Sequence, residues 1–204
     1  MHLLLTGSHM NLLARAGALA AALLLAVPGA ARAQRYDHSD AAGDVTRCAD
    51  DACTSLTYAS TQEPDIRQIT IRHRTDVLTV HVLFTEIRRT SAEQGFGIQV
   101  RTDEGLFRQY VVTVKGTSVT TSFTGPSEPV ACRGASYVVD FRGNDVLLRV
   151  PRACLSSPRL VRVGFLAYES VDASRGYLRA DDALRRGMDP EMIMATLSPR
   201  LARG

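Results

Sequence analysis

The residues whose spacing carries most chemistry are aspartates. Asp37, Asp40 and Asp44 fall within eight positions, in the run DHSDAAGD. Calcium takes about six to eight oxygen ligands, from carboxylates and carbonyls on flexible loops. Gly43 sits inside this run and lets it bend tightly. Asp181 and Asp182 add two carboxylates if the two ends of the domain meet. The expectation is a structural calcium ion held by Asp40 and Asp44, with Asp37, Asp181 or Asp182 assisting. The spacing is not that of an EF-hand loop, so the competing expectation is that these aspartates only solvate a loop.

Other reactive side chains form no set. There is no G-x-S-x-G, no H-E-x-x-H and no phosphate-binding glycine loop. Beyond residue 33 the histidines are His38, His73 and His81, and nothing adjacent in sequence activates them. All three are expected at the surface, and no enzyme activity is expected. The four cysteines, Cys48, Cys53, Cys132 and Cys154, are even in number, which in an exported chain points to disulfides. Of the three possible connectivities, Cys48–Cys53 and Cys132–Cys154 are favoured. The first closes the short loop RCADDAC, and the second joins two ends of a hairpin. Zinc is disfavoured because the spacings match no usual finger.

Export is read from the first thirty-three residues. Arg15 precedes an apolar run from Ala16 to Val27, which Pro28 and Gly29 break. Ala31-Arg32-Ala33 places small residues at the cleavage-determining positions, so residues 1–33 read as a signal peptide, with Met10 the better start. The run is too short to span a bilayer, and no membrane span is expected in the mature chain. The full sequence of 204 residues carries a formal charge of +3. Removing Arg15 and Arg32 with the leader leaves 22 basic against 21 acidic side chains. That balance gives no reason to expect nucleic acid as a partner.

The elements that must position these residues are strands. In the stretch from Asp65 to Ile87, Leu78, Val80, Val82 and Phe84 fall on one face, and Thr79, His81, Leu83 and Thr85 on the other. This period of two marks a half-buried strand. Similar alternation recurs from Phe96 to Arg101, Leu106 to Lys115, Val130 to Phe141, Val146 to Val150 and Leu160 to Tyr168. Turn signals separate these runs, Arg142-Gly143-Asn144-Asp145 being the clearest. The pattern predicts an all-β fold, an antiparallel, jelly-roll-like sandwich of about eight or nine strands over residues 34–180. Residues 34–64 show little strand pattern beyond Ser55–Ala59 and read as an entry strand and loops. Residues 181–204 form a tail, in which Asp189 as N-cap and Pro190 predict a short helix to Leu197.

Three runs carry a resemblance. D-x-x-G-D-V (Asp40 to Val45), D-I-x-x-I-x-I-x-H (Asp65 to His73), and C-R-G (Cys132 to Gly134) followed by V-P-R-x-C-L (Val150 to Leu155) resemble secreted actinobacterial β-sandwich proteins of unknown function. More loosely, the chain is similar to DOMON and family 9 carbohydrate-binding modules. That similarity implies sugar or haem binding, sometimes with structural calcium. The chain departs from it in having no Trp and no cysteine free for haem. Tyr110, Tyr137, Tyr168 and Tyr177 would be the platforms for a sugar. The expected function is a secreted, non-catalytic binding module, with glycan as the ligand considered. The alternative is a structural or protein-interaction protein of the cell envelope.

Overall fold

The computed structural model describes residues 34–48, 56–58, 63–172, 177–187 and 194–204. Among them the chain forms thirteen strands in two antiparallel sheets packed face to face, an all-β sandwich. One sheet has five strands in the order β1 (Gln34–Ser39), β4 (Ile66–His73), β5 (Val77–Phe84), β10 (Asp145–Pro151) and β9 (Ser136–Asp140). The other runs β3 (Leu56–Tyr58), β2 (Thr46–Cys48), β12 (Tyr177–Asp182), β11 (Leu160–Asp172), β6 (Glu93–Thr102), β7 (Phe107–Lys115) and β8 (Ser118–Thr124), with β13 (Leu201–Ala202) added against β11. No helix among the described residues is long and apolar enough to cross a membrane.

Alternation decides which side chains enter the core. Along β5, Leu78, Val80, Val82 and Phe84 are buried, while Thr79, His81 and Leu83 are only half-buried. In β4 the inward residues are Ile66, Ile69, Ile71 and His73, so the first step is three residues rather than two. A register shift against β5 between Ile66 and Gln68 accommodates the extra residue as a bulge. Facing them are Phe96, Ile98 and Val100 of β6 and Val161, Val163, Phe165 and Ala167 of β11. The Phe84 ring meets Phe96 and Phe165 edge-on, at centroid distances of 5.8 and 6.2 Å. Each such large apolar side chain contributes about 1.5–3 kcal/mol by leaving water.

The hairpin at Arg142–Asp145 forms as expected, with Asn144 in the left-handed region at φ 54°. Its carbonyl accepts from Phe84 N at 2.9 Å, and its side-chain Oδ1 accepts from Ile87 N at 3.0 Å. Cys132 and Cys154 are disulfide-bonded, with Cα atoms 5.3 Å apart. The Cys48–Cys53 pairing and the leader over residues 1–33 lie outside the described residues.

Two expectations need correction. Besides β3, which falls within the strand expected at Ser55–Ala59, the segment 34–64 contributes β1, which pairs with β4 over its full length, and β2, which pairs with β12. The run QRYDHS is too polar to announce itself, because β1 is an edge strand with mostly exposed side chains. The segment expected as a tail from residue 181 begins inside the sandwich. β12 passes through the boundary drawn at residue 180, and Asp181, Asp182 and Ala183 are buried. Further on, Ser198 N donates to Val163 O at 2.9 Å, and Val163 N donates to Ser198 Oγ at 3.0 Å. Gly164 makes this docking possible. A Cβ there would stand 2.4 Å from the Thr196 carbonyl oxygen and 2.6 Å from Ala195 Cβ. Of the helix expected over Asp189–Leu197, residues 188–193 lie outside the described residues, and Met194 to Leu197 are not helical.

Candidate metal centre

The chain crosses from one sheet to the other between β1 and β2, through Asp40 to Val45. β12 pairs with β2 on the far side of this crossing, and β4 pairs with β1 on the near side. The fold therefore brings together the end of β1, the end of β12 and the residue just before β4. Each of these positions is an aspartate: Asp40, Asp181 and Asp65.

Asp40, Asp44 and Asp181 each direct one carboxylate oxygen to a common point, the three oxygens lying within 4.8 Å of one another. Oxygens that share a calcium ion at about 2.3–2.6 Å stand no more than about 5 Å apart, so the spacing fits. Asp181 is 0% exposed and Asp44 3%. In each carboxylate one oxygen is satisfied by a backbone amide. Asp40 Oδ1 accepts from Ala41 N at 2.9 Å, Asp44 Oδ2 from Gly187 N at 3.0 Å, and Asp181 Oδ2 from Ile66 N at 2.7 Å. The other three oxygens, Asp40 Oδ2, Asp44 Oδ1 and Asp181 Oδ1, are buried with no hydrogen-bond partner among the described residues. Buried polar atoms are nearly always satisfied, which makes this carboxylate cluster the candidate site.

The electrostatics agree. Burial pushes the Asp181 carboxyl up to about 8 and the Asp40 carboxyl up to about 7, with the neighbouring carboxylates adding to both. Asp44 is raised as well, chiefly by burial. Desolvation and like charge both disfavour the ionised forms, and either a proton or a cation relieves them. Every converging donor is a hard carboxylate oxygen, with no sulfur or imidazole among them, which suits calcium rather than zinc.

Two further aspartates support the cluster without facing its centre. Asp65 accepts from Gly43 N at 2.6 Å and from the Thr85 hydroxyl, so it fixes the bend of the crossing loop. Its role was not read from sequence; the only signal is its place after Pro64, at the head of β4. Asp182 spends its oxygens on Leu184 N at 3.1 Å and Thr196 N at 2.7 Å, which ties down the C-terminal segment. Burial raises its pKa.

Asp37 does not join them. It lies on the outer face of β1, where Arg35 holds both its oxygens at 2.6 and 2.8 Å and the Thr70 hydroxyl donates at 2.6 Å. Asp37 lies three positions before Asp40, and strand alternation turns it outward before the loop begins. One histidine departs from the surface placement expected of it. His73 is fully buried, its Nδ1 3.1 Å from Leu201 O, while His81 lies on the outer face as expected, its Nε2 3.0 Å from Asp145 Oδ2. Of the proposed sugar platforms, Tyr110 is buried in the core and Tyr168 lies across Gly95. Tyr137 is 38% exposed, and the side chain of Tyr177 lies outside the described residues.

No protein-family model, curated protein or solved structure matches this chain. The reading of its function therefore rests on geometry and chemistry.

Proposed function

We propose that the protein is a secreted, non-catalytic binding module whose two sheets are clamped at one end by a calcium ion. Asp40, Asp44 and Asp181 would be its carboxylate ligands. The observation that carries this is that Asp40, Asp44 and Asp181 each bring a carboxylate oxygen within 4.8 Å of the others, and that each also has a buried oxygen without a hydrogen-bond partner among the described residues. Such an ion would join the crossing loop to β12, and through Asp181 and Ile66 N to β4, so that both sheets share it. A structural role suits the site better than a catalytic one, because Asp181 and Asp44 are almost fully buried.

The test is a pair of thermal scans, in millimolar calcium and in chelator, on the wild type and on Asp44→Asn. An extracellular-type site has a dissociation constant of about 10⁻⁴–10⁻³ M. At ten times that constant, calcium stabilises by roughly 1.4 kcal/mol through mass action. For a domain of this size the wild-type midpoint then rises by a few degrees, and the variant's does not. Equal wild-type midpoints in both buffers would sink the proposal.

A further inference from the structure

The outer face of the five-stranded sheet carries a row of arginines that the linear sequence conceals. Arg35 of β1 is in register with Arg72 of β4, Arg72 with Thr79 of β5, and Thr79 with Arg149 of β10. Neighbouring strands lie about 4.8 Å apart, so Arg72 and Arg149 stand about 9–10 Å from each other across Thr79. Arg74 extends the group at the end of β4. These residues, with Thr70, His81 and Leu147, line an open concavity of about 340 Å³. Arg35 is engaged by Asp37. Arg72, Arg74 and Arg149 form no ion pair among the described residues, and they lie side by side on a surface whose overall charge is almost balanced.

We infer that this face binds an acidic glycan, its carboxylates held by Arg72 and Arg149. The inference rests on the binding-module reading and names its ligand class. Guanidinium forks match carboxylates in paired hydrogen bonds. The hydroxyl of Thr79 lies between the forks for a sugar hydroxyl, and half-buried Leu147 offers an apolar patch to the ring's C–H surface. The same face argues against a uniformly charged partner. Asp37 adjoins the arginine row, and Asp145 and Asp140, paired two rows away, close the other end. These carboxylates would repel a nucleic acid or an anionic bilayer laid across the sheet. A chain with separated carboxylates among neutral hydroxyls meets the arginines and avoids the aspartates.

The experiment titrates the purified protein with oligogalacturonate, and with its methyl-esterified, uncharged form, by calorimetry at low and at high salt. The expected result is binding to the acidic oligomer only, weakened by salt. Arg72→Gln/Arg149→Gln should weaken it by about tenfold or more, since each charge-assisted contact is worth at least that factor. The double variant should melt as the wild type does, which excludes misfolding as the cause. Binding of both oligomers alike, or binding that survives the double substitution, overturns the inference while leaving a binding module. Retention on anionic vesicles or DNA, with none on the uronate, overturns it in favour of those partners. No binding to any acidic or neutral glycan overturns both the inference and the reading beneath it. The calcium clamp is separable, because its thermal scans use no glycan.

Discussion

The acidic end and the arginine face are both clusters of like charge, yet they obey different physics. At the acidic end the carboxylates are buried, and the energy lost on leaving water governs their behaviour. Three of their oxygens have no partner, and two pKa values rise to about 7 and about 8. On the arginine face the charges stay largely in water, which screens their repulsion and keeps each guanidinium solvated. One cluster holds its charges out of water. The other leaves them in it. The difference teaches that burial, rather than charge density, sets the energetic cost of a cluster of like charge.

The comparison breaks most visibly when one carboxylate is moved between such environments. Val82→Asp places it in the core among Val80, Phe84 and Val146, with no cation or amide to receive it. An unpaired buried carboxylate costs several kcal/mol, against a total stability of roughly 5–15 kcal/mol. The variant is expected to fail to fold, seen as loss of soluble protein and of a cooperative melt. Thr79→Asp puts the same group between Arg72 and Arg149, where stability should change by about 0.5 kcal/mol or less. If the two variants express and melt alike, the assignment of faces is wrong.

Acid should separate the clusters next. Asp40, Asp44, Asp181 and Asp182 all have folded-state pKa values above their ordinary 3.8. Between pH 4 and pH 8 the folded protein therefore holds more protons than the unfolded chain. Without metal, stability must fall as pH rises through that window. His73 opposes this, because burial lowers its pKa below 6.5 and its contribution grows as pH rises. One histidine against four carboxyls lessens the slope without reversing it. In chelator the melting midpoint is expected to be several degrees higher at pH 5 than at pH 8. Saturating calcium should close the gap by raising the pH 8 value. A midpoint in chelator that rises from pH 5 to pH 8 would refute the description of the acidic end.

Sequence reasoning reached these regions unequally. The sandwich was legible because β5 and β10 bury one face and alternate with period two, and β6 and β11 carry the same alternation of apolar residues in sequence. Cys132–Cys154 was legible from the hairpin it spans. Of the five aspartates nominated, Asp40, Asp44 and Asp181 converge, Asp182 lies alongside, and Asp37 points away. Its exclusion was invisible because it depends on where β1 ends, and β1 is a polar edge strand without a hydrophobic signature. Asp65 was missed because its job is to hold the loop at Gly43, a contact between residues 22 positions apart. The arginine row was hidden for a related reason. Its members come from three strands, and only the pairing register places Arg35, Arg72 and Arg149 on one line. Local pattern reports which face is buried. Register, which is a long-range property, reports what meets what.

The smallest expected effect is also the sharpest test of the contrast. Asp181→Asn and Arg149→Gln each remove one charge from a like-charged cluster. Losing Asp181 relieves a buried carboxylate of its ionisation cost, so in chelator at pH 8 the variant should melt at or above the wild-type midpoint. The same change removes a ligand, so in calcium the variant should fall below the wild type and lose its response to the ion. Arg149 is exposed and its repulsion from Arg72 is screened across about two strand spacings. Arg149→Gln should therefore shift stability by about 0.5 kcal/mol or less, in either buffer and at either pH. A calcium-dependent change in that variant would mean that the two clusters are coupled through the sandwich. No bond described here supplies that coupling, because Arg149 faces solvent on the five-stranded sheet while the carboxylates converge where the chain crosses between the sheets.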